Sequence, residues 1–417
     1  MILQHRKMPV RSHQCGYQAR KPTSQLLLRR AGSCAARRPI WKGGVLGLLA
    51  MLVLVGCAAD PPRIPPTPLT NVDRSTSVRT LWGKRVGDED AAPVVRFSPY
   101  IDGQDVYAAS SDGVVMRLDA PSGSTRWRKQ LKLALTSGVG GTEEAVYVGS
   151  RNGLIVALSK SDGAELWRST MSTEVLAPVV GGQGRVIVRG ADGRVAALDA
   201  GDGSELWSRT FAPPALTLNG YSQPQLVGNG ILLGLDDGKV AALANDSGNL
   251  LWQSVLVYAT GRSEIERLVD IDANLLVDDA YIYAASYQGK LARLEPVRGQ
   301  ITWAVDFSSV VGMAQNSDAV FAVDADDELV ALSKQDGREL WRLEALRGRR
   351  LTRPVVTGNS LVVADLEGFV HVVDVATGGL KGRARPGDEA VKGSLISTGD
   401  RVYLQDSDAR LRALQIN

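Results

Sequence analysis

The chain has 417 residues and a formal net charge of +3 at pH 7, but its charge is unevenly distributed. Residues 1–57 hold ten of the 48 Lys and Arg and none of the 45 Asp and Glu, so the rest of the chain is acidic. An acidic body argues against nucleic-acid binding, which needs a basic surface. The three cysteines are Cys15, Cys34 and Cys57, and His371 is the one histidine that follows them. This scarcity excludes thiolate metal sites in residues 58–417 and argues against Ser-His-Asp chemistry.

The first predicted element is a secretory leader. An apolar run from Val45 to Val55 follows three basic residues, Arg37, Arg38 and Lys42. This run is too short for a membrane-spanning helix, which takes about 20 residues, but it is typical of a signal peptide. We therefore expect residues 1–56 to be a signal peptide, its unusual length explained by a translation start placed too early. The alternative is a buried helix at the N-terminus.

The leader ends in "LVGC", residues 54–57, which resembles the lipobox of bacterial lipoproteins. The resemblance implies that the chain is cut before Cys57 and that this cysteine carries the lipid anchor, as acyl chains such as palmitate. Ala58 follows where an Asp would imply retention in the inner membrane, so the outer membrane is implied. Five prolines lie between Pro61 and Pro68 and disfavour a helix. Residues 57–78 are therefore predicted to be the lipidated cysteine and an extended tether.

The rest of the sequence repeats a turn followed by a tryptophan, as in "LSKSDGAELW" (158–167) and "LDAGDGSELW" (198–207). Within each repeat, short runs of apolar and β-branched residues alternate with Gly- and Asp-containing turns, which predicts antiparallel strands. Units of about 40 residues with four strands each are typical of propeller blades. The tryptophans of the series are Trp82, Trp127, Trp167, Trp207, Trp252, Trp303 and Trp341.

These repeats predict an all-β fold, an eight-bladed β-propeller of four-stranded antiparallel blades over residues 79–417. "TLWGKRV", residues 80–86, is expected to close the ring as the outer strand of the last blade. Leu380 takes the place of an eighth tryptophan. We expect the tryptophans to be structural, packed between neighbouring blades rather than binding a ligand. His371 alternates with apolar residues and is expected to be a packed, hydrogen-bonded side chain.

The repeat resembles the pattern A-x-D-x-x-x-G-x-x-x-W of quinoprotein-like propellers, which two kinds of protein carry. One kind is the dehydrogenases that use pyrroloquinoline quinone (PQQ). A resemblance to these enzymes would imply a disulfide of adjacent cysteines, a bound Ca²⁺ and an Asp base. The predicted propeller has no cysteine, and its acidic residues do not have Ca²⁺-loop spacing. No catalytic residue, cofactor or metal site is therefore expected.

The other is the BamB family, lipoproteins of the outer-membrane β-barrel assembly machinery, and the resemblance covers nearly all of residues 57–417. It implies that loops at 213–224 and 258–272 contact BamA. Leu216 and Leu218 match the family's Leu-x-Leu-Arg, with Asn219 in place of the Arg, and Asp270 and Asp272 match its Asp-x-Asp. Two exposed leucines and two carboxylates would suit a partner with a basic surface. The alternative is that the leucines point into a blade and the aspartates cap turns.

Of the two loops, only the second contains "SEIE", residues 263–266. This sequence reads as a capping box that opens a short helix.

The expected function is a non-enzymatic scaffold tethered to the outer membrane and facing the periplasm. It would bind BamA and the rest of the Bam complex, and would assist the assembly and insertion of β-barrel proteins. Contact with unfolded outer-membrane proteins is a further expectation. The alternatives are a quinoprotein-like propeller that binds PQQ or another small molecule, and a scaffold of another envelope complex.

Overall fold

The structure is a computed structural model that describes residues 64–72, 75–88, 96–218 and 222–417. In these ranges the chain forms eight four-stranded antiparallel sheets and no helix. The sheets are the blades of a β-propeller, which confirms the predicted fold class. The predicted signal peptide, Cys57 and Asn219 lie outside the described residues. None of the described residues belongs to a helix that could span a membrane.

The strands follow one another blade by blade along the chain. Strand β1 (Val78–Arg85) precedes blade 1, formed by β2 (Tyr100–Asp102), β3 (Asp105–Ala109), β4 (Val114–Asp119) and β5 (Thr125–Gln130). Blade 2 has β6 (Gly140–Gly141), β7 (Ala145–Gly149), β8 (Leu154–Ser159) and β9 (Glu165–Thr170). Blade 3 has β10 (Val180–Gly182), β11 (Arg185–Arg189), β12 (Arg194–Asp199) and β13 (Glu205–Thr210). Blade 4 has β14 (Gln225–Val227), β15 (Gly230–Gly234), β16 (Lys239–Ala244) and β17 (Leu250–Val255).

The second half of the ring has the same order. Blade 5 has β18 (Leu276–Val277), β19 (Ile282–Ala285), β20 (Gly289–Leu294) and β21 (Ile301–Phe307). Blade 6 has β22 (Met313–Gln315), β23 (Ala319–Val323), β24 (Leu329–Ser333) and β25 (Glu339–Leu343). Blade 7 has β26 (Val355–Thr357), β27 (Ser360–Ala364), β28 (Val370–Asp374) and β29 (Leu380–Ala384). Blade 8 has β30 (Ile396–Thr398), β31 (Arg401–Gln405) and β32 (Arg410–Ile416), and β1 completes it.

The apolar core lies between the blades. The two middle strands of a blade are almost wholly buried, whereas its outer strand alternates exposed and less exposed residues. One cluster, for example, combines Val146 and Val156 of blade 2 with Tyr107 and Val115 of blade 1. Because a single four-stranded sheet cannot cover its own faces, each blade is stabilised by its two neighbours.

Each tryptophan of the series joins its own blade to the next. The indole N–H of Trp207 donates to the carbonyl of Asn245 at 2.9 Å, and the ring lies against Gly248, whose φ is 68°. A Cβ on Gly248 would come within 2.5 Å of that ring, so the close approach requires glycine. The same N–H to carbonyl bond joins Trp82 to Ala120, Trp127 to Lys160, Trp167 to Ala200, Trp252 to Pro296, Trp303 to Lys334, and Trp341 to Val375.

The N-terminal strand closes the ring, as predicted. β1 pairs with β32 from Val78 opposite Ile416 to Arg85 opposite Arg410. Blade 8 therefore has no turn between its third strand and its outer strand. That turn is where the preceding tryptophan packs in every other blade, which explains why Leu380 can replace an eighth tryptophan.

The end of the predicted tether lies on the propeller. Thr67 donates its N–H to the carbonyl of Arg347 at 2.9 Å and accepts from Arg349 Nη1 at 3.1 Å. Leu69 packs against the core between blades 6 and 7. We call residues 64–72 the strap. The sequence predicted an extended tether here without predicting these contacts.

His371 is packed and hydrogen-bonded beneath the strap. Its Nε2 lies 3.0 Å from Asp365 Oδ2, and its Nδ1 accepts from Arg383 Nε at 3.1 Å. Arg383 also donates to the carbonyl of Thr70 at 2.6 Å. The role of His371 is thus to orient an arginine that holds the strap.

Candidate partner-binding site

Two long connections leave neighbouring blades at corresponding places. Residues 211–224 connect β13 of blade 3 to β14 of blade 4, and residues 256–275 connect β17 of blade 4 to β18 of blade 5. The ends of the two connections are hydrogen-bonded to each other. Gln223 donates its N–H to Asn274 Oδ1 at 2.8 Å, and Ser222 Oγ donates to the carbonyl of Ala273 at 3.3 Å. The two connections therefore form one surface feature, which we call the double loop.

The first connection presents one leucine to solvent and keeps the other partly buried. Leu216 is 41% exposed. Leu218 is half-buried, and its backbone N–H donates to Asp270 Oδ2 at 2.5 Å. This bond crosses from the first connection to the second, so the carboxylate of Asp270 fixes the segment that carries both leucines.

Asp270 and Asp272 are buried, which differs from the exposed carboxylates expected to meet a basic partner. Ile271, between them, packs in the core between blades 4 and 5 and donates its N–H to the carbonyl of Leu235 at 3.1 Å. Tyr287 donates its N–H to the carbonyl of Asp270 at 2.9 Å. These backbone bonds hold the segment against blades 4 and 5, so both carboxylates lie beneath the double loop.

Arg189 and Asp236 complete this buried polar group, and sequence reasoning missed both. Arg189 Nη2 pairs with Asp236 Oδ1 at 2.5 Å, and its Nη1 donates to the carbonyl of Gly234 at 2.7 Å. The sequence does contain a signal for Arg189. The strands that correspond to β11 in blades 1 and 2 end in Ala109 and Gly149, whereas β11 ends in Arg189. An arginine at a buried strand position needs a charged partner.

Burial changes the acidity of the two aspartates. The pKa of Asp270 is raised to about 6 and that of Asp272 to about 7, and desolvation is the main cause of both rises. The neighbouring carboxylates add to these rises, whereas Arg189 opposes both and the N–H of Leu218 opposes that of Asp270. One carboxylate oxygen from each of Asp236, Asp270 and Asp272 lies within 4.8 Å of the other two. Among the described residues this is the arrangement of acidic side chains that could hold a metal ion.

The second connection presents two large apolar side chains. Tyr258 is 74% exposed and Ile265 is 66% exposed. The predicted capping box forms, since Ser263 Oγ accepts from the N–H of Glu266 at 3.2 Å and Glu266 Oε2 accepts from the N–H of Ser263 at 3.3 Å. The short helix predicted to follow is wrong, because the chain makes only i to i+3 turns before Leu268 enters the protein core.

Comparison with known proteins shows the family. A family model described as "Outer membrane protein assembly factor BamB" matches residues 111–343 and 325–417. A relative of that name from Alkalilimnicola ehrlichii is 47% identical over 372 residues, 89% of this chain and 96% of the relative. Another from Pseudomonas aeruginosa is 43% identical over 377 residues, 90% of this chain and 99% of the relative.

A solved structure of the same family also matches this chain. The crystal structure of BamB from Moraxella catarrhalis has a TM-score of 0.75 and 29% identity, and the match covers 81% of this chain and all of that one. A quinohemoprotein alcohol dehydrogenase from Comamonas testosteroni has a TM-score of 0.68 over 85% of this chain and 81% of its own. At 14% identity, this second likeness shows the fold alone. The predicted resemblance is confirmed, and the chain belongs to the family of the outer membrane protein assembly factor BamB.

Proposed function

We propose that this protein is a non-enzymatic assembly factor for outer-membrane proteins, anchored by lipid on Cys57 and facing the periplasm. The relatives that it matches over nearly their whole length are named as assembly factors for such proteins. Its partners are BamA and the rest of the Bam complex. The lipobox and the tether support the anchoring, and several buried acyl chains would hold a soluble propeller stably at a membrane.

The double loop is the proposed surface for BamA. The observation that carries this proposal is the exposure of Leu216, Tyr258 and Ile265 on two connections that are hydrogen-bonded together. Exposed aromatic and aliphatic side chains on a fixed backbone are the usual anchors of a protein interface, because little order is lost on binding.

Asp270 and Asp272 have an indirect role in this proposal. Asp270 holds the backbone at Leu218, so it positions Leu216 and Leu218 rather than meeting BamA itself. Substituting Asp270 would then weaken binding by releasing the segment that carries Leu216 and Leu218. The residues proposed for the site are those that the family resemblance implies, but Asp270 acts by holding the loop and not by contact with BamA.

The main alternative is a propeller that binds PQQ or another small molecule. The PQQ-dependent dehydrogenases that the repeat also resembles use a disulfide of adjacent cysteines. Residues 58–417 contain no cysteine. A scaffold of another envelope complex is the second alternative. Under either alternative, the protein would not capture BamA from solubilised membranes.

Capture of BamA by substituted proteins tests the proposal. Leu216→Ala and Ile265→Ala should each reduce capture from solubilised membranes about tenfold, as expected when an interface anchor is lost. Leu340→Ala is the matched control, because Leu340 is similarly exposed, at 44%, but lies on the outer strand of blade 6. All three proteins should keep the melting temperature of the unsubstituted protein. Full capture by stable Leu216→Ala and Ile265→Ala proteins would place the BamA surface elsewhere.

A further inference from the structure

The carboxylates beneath the double loop come from two separate parts of the chain. Asp236 lies in the turn between β15 and β16 of blade 4, and Asp270 and Asp272 lie in the connection to blade 5. All three residues are at least nine-tenths buried. One oxygen from each lies within 4.8 Å of the other two, so the three side chains converge on a common point.

The positive charge available there does not balance these acids. Arg189 pairs with Asp236 and is buried with it. Arg96, which is exposed, adds a weaker favourable interaction with Asp272. Three carboxylates thus face one buried guanidinium.

Within the described residues, moreover, two of the carboxylate oxygens have no hydrogen-bond partner. Asp270 uses Oδ2 to accept from Leu218, but Asp270 Oδ1 and Asp272 Oδ1 accept no hydrogen bond from the groups that the structure describes. Buried carboxylate oxygens are normally hydrogen-bonded or coordinated, because burying them unpaired is costly. Unpaired oxygens on converging buried acids are a second observation that points to a positively charged ligand for this cluster.

We propose that Asp236, Asp270 and Asp272 form a binding site for one divalent cation of the hard, oxygen-binding class, with Ca²⁺ as the best fit. Carboxylates bind Ca²⁺ at about 2.4 Å, and two oxygens on opposite sides of such an ion are about 4.8 Å apart. Mg²⁺ needs shorter, strictly octahedral contacts and gives up its water reluctantly. The ligand set has no nitrogen or sulfur donor, which disfavours Zn²⁺ and Cu²⁺.

A cation at this point would join blade 4 to both connections of the double loop. It would bind Asp236 in the β15–β16 turn together with Asp270, which holds Leu218. The ion would thereby stiffen the surface that carries Leu216. The site itself does not rest on the proposed function, since binding can be measured with no partner present.

Protons compete with the cation for the same oxygens. A carboxyl coordinates a cation only when it is deprotonated, and burial favours its protonated form. Asp270 and Asp272 face each other, Asp236 and Arg189, and Asp272 also faces Arg96. Ca²⁺ should therefore bind more tightly at pH 8 than at pH 6, because metal ligands must be deprotonated.

Calorimetric titration and thermal unfolding of the full chain in detergent, after removal of metal with EDTA, test this site. Ca²⁺ at pH 8 should bind with a stoichiometry near one and raise the melting temperature by about 3 °C or more, since a ligand that binds only the native state stabilises it. Mg²⁺ should have a smaller effect. Absence of binding heat and of a melting shift with Ca²⁺, Mg²⁺ and Mn²⁺ would overturn the proposal and leave protons as the ligands of the cluster.

Two aspartate substitutions locate the ion. Asp272→Asn should abolish the Ca²⁺ shift and, in EDTA, melt no lower than the unsubstituted protein because it removes an unpaired buried charge. Asp237→Asn is the matched control, since Asp237 lies on the same turn as Asp236 but pairs with Lys239 at 2.5 Å. It should keep the whole shift. A Ca²⁺-induced melting shift that persists in Asp272→Asn, or is lost equally in Asp237→Asn, would place the ion elsewhere. If the Asp272→Asn protein does not fold, Asp236→Asn takes its place in the experiment.

Discussion

The contact between a tryptophan and a glycine of the next blade is the smallest unit that holds the ring together. At Trp167 the indole donates to the carbonyl of Ala200 at 2.9 Å, and a Cβ on Gly203 would lie 2.5 Å from the ring. The glycine also has a φ of 74°, which other residues adopt at a cost. Two separate penalties, backbone strain and steric overlap, therefore apply to any substitution at Gly203.

A pair of glycine substitutions separates these penalties. Gly203→Ala should destabilise the protein by about 2–4 kcal/mol, from strain at positive φ plus overlap with Trp167. Gly228→Ala should cost only about 1 kcal/mol, because Gly228 also has a positive φ, 55°, but no atom lies within 4 Å of the added Cβ. Urea unfolding of both proteins measures the difference. Equal losses of stability would mean that the tryptophan contact contributes little.

The burial of Asp270 and Asp272 could not be read from the sequence. In "LVDID", residues 268–272, apolar and acidic residues alternate, which normally indicates one buried and one solvated face. Here Val269 and Ile271 are buried as the pattern predicts, but the other face is covered by residues from the preceding connection. A contact between segments some 50 residues apart has no local signature, so the pattern identified the residues and not their surroundings.

Among the secondary-structure elements, β1 and the strap hold the N-terminal part of the chain to the propeller in different ways. β1 pairs with β32 along its whole length and carries Trp82 into the core between blades 8 and 1. The strap makes a few hydrogen bonds and inserts one side chain, Leu69, beside the core between blades 6 and 7. Removal of the two elements should therefore have unequal consequences.

Two truncations test this difference. A protein that begins at residue 75 lacks the strap and should remain a folded propeller, with a melting temperature lower by only about 2–6 °C. One that begins at residue 87 also lacks β1, which exposes the edge of β32 and uncovers the core at Trp82. It should aggregate or melt lower by about 10 °C or more. Similar melting temperatures for the two proteins would contradict closure of the ring by β1.

The strands and the closure were predictable because their signals are local and repeated. Turn glycines and the tryptophans recur in each blade, so eight weak patterns reinforce one another. The strap has no such repeat. Its prolines indicate an extended chain, but whether that chain is free or bound depends on Arg347, Arg349 and Arg383, which are far away in the sequence.

The propeller is a fixed frame on which the double loop is presented. All eight blades are covered by neighbours, and the connections that carry Leu216, Tyr258 and Ile265 leave adjacent blades. A site on such a frame is preorganised, so a partner meets it without a large cost of ordering. We propose that BamA meets this double loop and no other part of the ring.

Site-specific photo-crosslinking in living cells tests whether BamA meets the double loop. A photoreactive phenylalanine analogue would replace Ile265 in one strain and Leu340 in another, since both side chains are exposed and neither belongs to the core. We predict that irradiation links the protein with the probe at residue 265 to BamA, and that the probe at residue 340 gives no such product. A BamA product from residue 340 and none from residue 265 would mean that BamA meets the outer strand of blade 6 and not the double loop.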